Sequence, residues 1–287
     1  MRQTRFFLIY TLFLLVSCAR NIEQERRITV TIEPQRFFAE QLAGDLFEIT
    51  TLVPPGFSPE TYDPTAQQMA QLAHSRAYFA IGQIGFENVW LHRLKENNPQ
   101  IVFYDNSEGV EWIEDDDHHH HEHEGHHHGS VDPHTWASPK EVRIIVKNMC
   151  KALIELDAEN AETYQSCLNE LLKKIDQMDS FLKDSLVLSG KSFIIYHPAL
   201  TYLARDYGMK QYAIENEGKE PSPEQLKQLV DRVKQENIRA ILIQQEFDKK
   251  NAELLMRETG CRLEIINPLE YHWEEEMFRI AKILADE

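Results

Sequence analysis

Residues 112–139 read WIEDDDHHHHEHEGHHHGSVDPHTWASP and carry two different signals. The first part holds eight of the thirteen histidines, interleaved with acidic residues, and has no apolar periodicity, which predicts a solvated loop rather than core. In the second part a single histidine, His134, follows Pro133 in a partly apolar frame. The elements on either side of this stretch decide the fold, and the groups that surround His134 decide the chemistry.

Strand and helix patterns alternate on both sides of the loop. The sequence predicts strands over 27–33, 47–53, 77–81 and 100–104 before it, and over 192–196, 210–214, 238–243 and 262–266 after it. Helical patterns fill the intervals, so the order predicts an α/β fold of two lobes, each with a parallel sheet flanked by helices. Ser138 and Pro139 begin one helix, and Asp157 is expected to cap a second over 157–188 that forms a long rigid spine between the lobes.

The N-terminus indicates export. Arg2 and Arg5 precede an apolar run over 6–16 that is too short to span a bilayer comfortably, and the run closes on Leu-Val-Ser-Cys at 15–18, the pattern of a bacterial lipobox. We therefore expect lipidation at Cys18 and a protein that is anchored to a bacterial membrane by lipid only, facing the periplasm or the cell exterior.

The predicted domains follow from these signals. They are a lipoprotein signal peptide at 1–17, a tether at 18–27, an N-terminal lobe at 28–156 with the His-rich loop at 114–129, the spine helix at 157–188, and a C-terminal lobe at 189–287. The net charge of -17 disfavours nucleic acid as a partner and suits a protein that handles cations. We expect a monomer. The three other cysteines, Cys150, Cys167 and Cys261, lack metal-ligand spacing and are expected to be buried thiols, with a Cys150–Cys167 pair as the alternative.

Five residues with metal-binding groups follow the C-terminal ends of predicted strands or the long loop. In open α/β sheets that edge is where ligands bind, so two facing lobes would bring these side chains into one cleft. Imidazole nitrogens together with carboxylate or amide oxygens suit a divalent metal ion. The candidate ligands are His134, His197, Glu60, Glu246 and Asn267. The charged segment 215–220 is expected to be an exposed loop that borders the cleft or meets a partner.

Four motifs resemble those of the zinc/manganese ABC-transporter solute-binding proteins. They are PPGFSPETYDP at 54–64, DPHTWASP at 132–139, YHPA at 196–199 and NPL at 267–269. The resemblance covers essentially the whole chain after the signal peptide. It implies a two-lobed binding protein, not an enzyme, that receives a metal ion and delivers it to a membrane permease that works with an ATPase.

The chain departs from the family pattern at two ligand positions. Glu60 stands where the family usually has His, and Asn267 stands where it usually has Asp. Only His134 and His197 match the ligand positions of the family, and Glu246 corresponds to an acidic family position whose residue either supports a ligand or replaces one. A site with fewer nitrogens has a weaker preference for Zn²⁺ over Mn²⁺.

The His-rich loop favours zinc. Imidazole is a good ligand for zinc, nickel or copper and a poor one for manganese, so the loop is expected to hold additional zinc ions weakly. Its auxiliary ligands are His118, His119, His120, His121, His123, His126, His127 and His128.

Three other functions remain open from the sequence. The first is binding of manganese or another divalent ion by a protein of the same class. The second is a metal-storage or adhesin lipoprotein with no transport partner. The third is a zinc hydrolase, which would need an open coordination position and a positioned general base, but the chain has no H-E-x-x-H motif.

The auxiliary role of the loop can be tested by deletion. We expect a chain that lacks the His-rich loop to bind fewer zinc ions in titration calorimetry, with the tight site retained. The additional binding should fade below about pH 6.5, where histidines take up protons. An unchanged stoichiometry would show that the loop binds no zinc.

Overall fold

The computed structural model describes residues 26–114, 131–186, 192–215 and 218–285. The predicted signal peptide, Cys18 and the auxiliary histidines lie outside these ranges. Within them, no helix is long and apolar enough to cross a membrane.

The first sheet is built from four short strands with helices between them. Its elements are β1 (Arg27–Val30), α1 (Glu33–Ala43), β2 (Glu48–Thr51), α2 (Ala66–Leu72), β3 (Ala77–Ala80), α3 (Gly85–Asn97) and β4 (Val102–Asp105). All neighbouring strands pair in parallel, in the order β2-β1-β3-β4. Strand β3 is buried along its full length, as a central strand covered on both faces requires.

Two long helices lie between the first sheet and the second in the chain. Helix α4 (Pro139–Leu156) begins where the sequence predicts, because the Ser138 hydroxyl accepts a hydrogen bond from the Lys140 amide and Pro139 occupies the first turn. Helix α5 (Ala161–Leu186) has 26 residues and is therefore about 39 Å long.

The expected side-chain cap at Asp157 is wrong, and the α-helical part of the spine begins at Ala161. A 3₁₀ turn over Ala158–Asn160 precedes α5, and the Asp157 side chain caps no backbone amide. Its carboxylate instead accepts hydrogen bonds from the Tyr164 hydroxyl at 2.7 Å and from the side-chain amide of Asn160 at 2.9 Å. The backbone amide of Asp157 bonds the carbonyl of Leu153 and ends α4.

The second lobe repeats the strand order of the first. Its elements are β5 (Ser192–Ile195), α6 (Thr201–Asp206), β6 (Lys210–Ala213), α7 (Pro223–Glu236), β7 (Ala240–Gln244), α8 (Lys250–Thr259), β8 (Arg262–Ile266) and α9 (Trp273–Ala285). The parallel sheet has the order β6-β5-β7-β8. The prediction of two parallel, helix-flanked sheets joined by a long helix is confirmed.

The two lobes share part of one hydrophobic core. Helix α9 follows the last strand of the second lobe but packs against α5, and its Trp273 ring lies 5.2 Å from that of Phe38 in the first lobe. The buried face of α5, with Ile175 and Met178, belongs to the same core. This packing ties the second lobe to the first, and the predicted residue bounds of the domains stay a prediction. The three cysteines of the described chain are thiols; Cys150 and Cys261 are buried as expected, but the expectation of burial is wrong for Cys167, which is partly exposed.

One buried acid supports the backbone behind the cleft. Glu87 accepts hydrogen bonds from the amides of Ile81 at 2.9 Å and Gly82 at 2.8 Å and from the Thr31 hydroxyl. Burial and, to a smaller extent, the nearby charge of Asp105 raise the pKa of this carboxyl to about 7, against the lowering effect of those hydrogen bonds. The folded protein therefore binds a proton that the unfolded chain releases near pH 4.5.

We expect Glu87 to make the stability of the protein depend on pH. Because the pKa of Glu87 is raised in the folded state, its contribution to the free energy of unfolding is present at low pH and is lost as pH rises towards 7. The loss is on the order of 3 kcal/mol. Urea unfolding of Glu87→Gln should lack this component, so the stability of the wild type relative to the variant should fall between pH 4.5 and pH 8. The exposed Glu108→Gln serves as control, and parallel pH profiles for wild type and Glu87→Gln would contradict the assignment.

Candidate metal centre

A cleft between the lobes collects side chains from the carboxyl ends of both sheets. Both lobes contribute to its wall, which is formed by Ser58, Pro59, Glu60, His134, Trp136, His197, Ala199, Gln244, Glu246, Phe247, Pro268 and Leu269. Four of the five predicted ligands are among them.

His134 is held by a carboxylate two residues earlier in the chain. Asp132 Oδ1 accepts hydrogen bonds from the His134 backbone amide and from His134 Nδ1, both at 2.8 Å. Burial alone would raise the pKa of Asp132, but attraction to the His134 ring and hydrogen bonds from its Nδ1 and backbone amide hold the pKa below its usual value. Asp132 is therefore ionised at neutral pH and fixes both the position of the imidazole and its tautomer.

His197 is held in the same way from the second lobe. Its Nδ1 lies 2.5 Å from Glu215 Oε1, and its ring stacks on Phe247 with 5.5 Å between centroids. The buried side chain of Gln244 accepts a hydrogen bond from the His197 amide at 3.3 Å and donates one to the His197 carbonyl at 2.7 Å. Both the backbone and the ring of His197 are thus fixed.

The two imidazoles meet through their other nitrogens. His134 Nε2 and His197 Nε2 are 3.1 Å apart. Because each Nδ1 donates its hydrogen to a carboxylate, each neutral ring presents a lone pair at Nε2. Two lone pairs at this distance repel each other unless a cation, either a proton or a metal ion, lies between them. Two ligand nitrogens on a tetrahedral zinc ion would be separated by about 3.3 Å, given Zn–N bonds of 2.0–2.1 Å.

Glu60 reaches the cleft from the proline-rich loop after β2. Its Oε2 accepts a hydrogen bond from the Gly85 amide at 3.1 Å. A side chain at Gly85 could not be accommodated, because a Cβ atom there would lie 2.6 Å from both Oε2 and the carbonyl oxygen of Glu60. Glu60 Oε1 is buried and has no hydrogen-bond partner within the described part of the chain. A buried carboxylate oxygen without a donor is costly, and a cation would satisfy it.

The other two candidates have different positions. Glu246 lines the cleft and is half-buried, and burial raises the pKa of its carboxyl. Asn267 does not line it, whereas the adjacent Pro268 and Leu269 do. The side-chain amide nitrogen of Asn267 donates a hydrogen bond to the Glu270 carboxylate at 2.9 Å, and its side-chain oxygen accepts one from the backbone amide of Leu269 at 3.3 Å. The assignment of Asn267 as a ligand stays a prediction, as do those of the other four residues.

Across the ranges that the structure describes, no three His, Cys, Asp or Glu side chains are grouped closely enough to hold a metal ion as they stand. The two histidines touch, and the carboxylates of Glu60 and Glu246 share the cleft with them at a greater separation. Coordination by all four therefore requires these carboxylates to turn towards the histidine pair.

Two functional carboxylates were not singled out from the sequence. Asp132 stands in the same motif as His134, but its role depends on a ring orientation that the motif does not show. Glu215 belongs to the segment expected to be exposed; that expectation is wrong for Glu215, which is buried with 9% of its surface exposed. The available signal was its position directly after β6, at the same sheet edge as the predicted ligands.

Two parallel-sheet lobes, with a ligand-type histidine from each lobe meeting in the cleft between them, define a two-lobed metal-binding protein. The family model described as zinc-uptake complex component A, periplasmic (ZnuA), matches residues 28–279. The chain belongs to this family, and the family resemblance noted in the sequence is confirmed.

Individual relatives carry names for two metals. The high-affinity zinc uptake system protein ZnuA of Bacillus subtilis (strain 168) is 29% identical, and the alignment covers 94% of this chain and 89% of that protein. The manganese ABC transporter substrate-binding lipoprotein PsaA of Streptococcus mitis is 26% identical, covering 90% and 86%. A crystal structure of ZnuA is 35% identical and matches with a TM-score of 0.84, covering 91% of this chain and 98% of that one.

The carboxylates that hold the histidines should control metal affinity. We expect Asp132→Asn and Glu215→Gln each to weaken zinc binding by about 10–100-fold, because the imidazole loses the partner that fixes its tautomer and raises its basicity. Competition with a zinc-binding dye measures the effect. Glu224→Gln removes an equal charge from an exposed position on α7 and should leave the affinity unchanged. Equal affinities for all three variants would show that these carboxylates do not support the site.

Proposed function

We propose that this protein captures Zn²⁺ between His134 and His197 in the interlobe cleft and delivers it to the permease of an ABC importer. The observation that carries the proposal is the 3.1 Å approach of two imidazole nitrogens whose opposite nitrogens are both bound to carboxylates. That arrangement needs a cation, and its spacing is close to that of two nitrogen ligands on zinc.

Oxygen ligands would complete the coordination shell. Glu60 offers the buried Oε1, and Glu246 offers a carboxylate for which burial disfavours the charged form. A bound dication would offset that cost, because opposite charge favours ionisation. With the two histidines these groups give the four ligands of a tetrahedral ion. Asn267 is a further candidate through its neutral amide oxygen.

Manganese is the second candidate cargo. Carboxylate oxygens suit Mn²⁺ better than imidazole does, and this cleft offers as many carboxylates as imidazoles. The relatives from B. subtilis and S. mitis are named for zinc and for manganese, respectively. The auxiliary loop histidines favour zinc, which is why zinc is the first choice here.

Transport follows from the family rather than from the cleft alone. The chain belongs to a family of solute-binding components of ABC importers, which work with a permease and an ATPase and are not enzymes. We further propose that the mature protein is an exported monomer anchored through lipid on Cys18. The basis is the lipobox at 15–18 and the relatives that are named lipoproteins.

Loss of either cleft histidine should abolish tight binding. We expect His134→Ala and His197→Ala to lose more affinity than the roughly 10–100-fold that loss of a supporting partner costs, because each removes a nitrogen ligand itself. Competitive titrations of zinc against manganese on the wild type and both variants measure affinity and preference together.

The matched control is His92→Ala, since the His92 side chain is 83% exposed and lies on α3. Its affinity should equal that of the wild type. If His134→Ala and His197→Ala both bound one equivalent of zinc as tightly as the wild type does, the ion would not be held in this cleft. A wild type that prefers manganese would select the second candidate.

A further inference from the structure

The segments 111–114 and 131–134 pair as a short antiparallel ladder that leads into the cleft histidine, and we call this pair of segments the neck. Glu114 and Val131 form an antiparallel bridge. The Asp132 amide donates to the Ile113 carbonyl at 2.9 Å. The neck therefore leads directly into Asp132, the residue that holds His134.

One bond of this ladder is replaced by a side chain from the other lobe. In an antiparallel hydrogen-bonded pair the two residues exchange both N–H···O bonds. Here the Ile113 amide donates instead to the hydroxyl of Tyr202 at 3.2 Å, and that hydroxyl donates to the Asp132 carbonyl at 2.7 Å. The Tyr202 hydroxyl thus bridges the two strands of the neck and holds them apart at this point.

Tyr202 is firmly placed to make these bonds. It lies on α6 of the second lobe and is completely buried. Burial raises its pKa to about 12, so the phenol keeps the hydrogen that it donates to Asp132. The Arg205 guanidinium lies over its ring at 4.9 Å and also donates to the Glu111 carbonyl of the neck at 3.2 Å.

We propose that Tyr202 is a positioning residue for the metal centre, acting on His134 through Asp132. By occupying one rung of the neck, its hydroxyl fixes the Asp132 backbone, and thereby the direction from which the Asp132 carboxylate holds His134 Nδ1. Helix α6 also follows directly after the segment that carries His197, so the helix that contacts Asp132 is joined in the chain to the second histidine. This inference rests on the proposed binding of metal by the histidine pair.

Removal of the hydroxyl should change metal affinity through His134 in particular. In Tyr202→Phe the Ile113 amide can bond the Asp132 carbonyl directly, which would draw the neck together and displace the carboxylate from the imidazole. We expect zinc affinity, measured by competition with a chelating dye on the full chain, to fall by about tenfold, the lower end of the range for outer partners of a ligand.

A double-mutant cycle identifies the route. In an Asp132→Ala background, Tyr202→Phe should have no further effect on zinc affinity, because the carboxylate through which it acts is gone. In a Glu215→Gln background, where binding is weakened from the His197 side instead, its effect should persist at full size. A purely structural role would lower affinity in both backgrounds alike, and that result would overturn the proposal.

Tyr207→Phe is the matched control. Tyr207 follows α6, is also buried, and donates its hydroxyl hydrogen to Asp179 on α5 at 2.8 Å without touching the neck. It should lower thermal stability but not zinc affinity. A loss of affinity equal to that of Tyr202→Phe would assign the effect to general destabilisation.

The remaining outcomes also decide the question. If wild-type protein binds zinc tightly and Tyr202→Phe binds it equally well, the inference fails while the proposed function stands. If the wild type binds no divalent ion, the proposed function itself fails. Should Tyr202→Phe not fold, Ile113→Pro removes the amide hydrogen but leaves the Tyr202 bond to Asp132, so zinc affinity should be retained, and a loss of affinity at unchanged thermal stability would overturn the proposal.

Discussion

Asp132 and Glu215 each hold the Nδ1 atom of one histidine, so the Nε2 atoms of His134 and His197 face each other across the cleft as acceptors. Neutral imidazoles in this arrangement repel, and the site is therefore suited to a cation that lies between them. The requirement extends to the whole molecule, because the two rings come from different lobes. Any change in the relative position of the lobes would change the distance between the two nitrogens.

The rest of the structure maintains that position through buried contacts between the lobes. Trp136, next to His134 in the cleft wall, donates its indole hydrogen to the Pro268 carbonyl at 2.9 Å, and Trp273 donates to the Trp136 carbonyl at 2.7 Å. Helix α9 carries Trp273 back onto the spine helix and the first lobe. Buried hydrogen bonds surrounded by packed apolar side chains are costly to break, so the cleft walls are held by groups that do not themselves bind the ion.

Local sequence signals located most of the framework. The strand at 262–266 has the predicted bounds and the helix after Ser138 begins where predicted, because alternation, proline at the first turn and a serine cap act within a few residues. Asp157 shows the limit of that reasoning, since its carboxylate has partners that compete with the backbone amides it was expected to cap. Glu215 shows the same limit of local reasoning. A charged segment after a strand predicts an exposed loop, and the sequence does not show that His197 lies beside Glu215 in the fold.

The sequence by itself determined the α/β class, the family and the residue types that could bind a metal, because burial period, turn residues and motif spacing are local properties. Only the tertiary structure decided which nitrogen of each histidine faces the cleft, that Glu60 rather than Asn267 lines it, and that Tyr202 interrupts the neck. Those features join groups 63 and 70 residues apart in the chain, as for His134 with His197 and Asp132 with Tyr202. Such pairings depend on how two lobes pack, and no short segment of sequence carries that information.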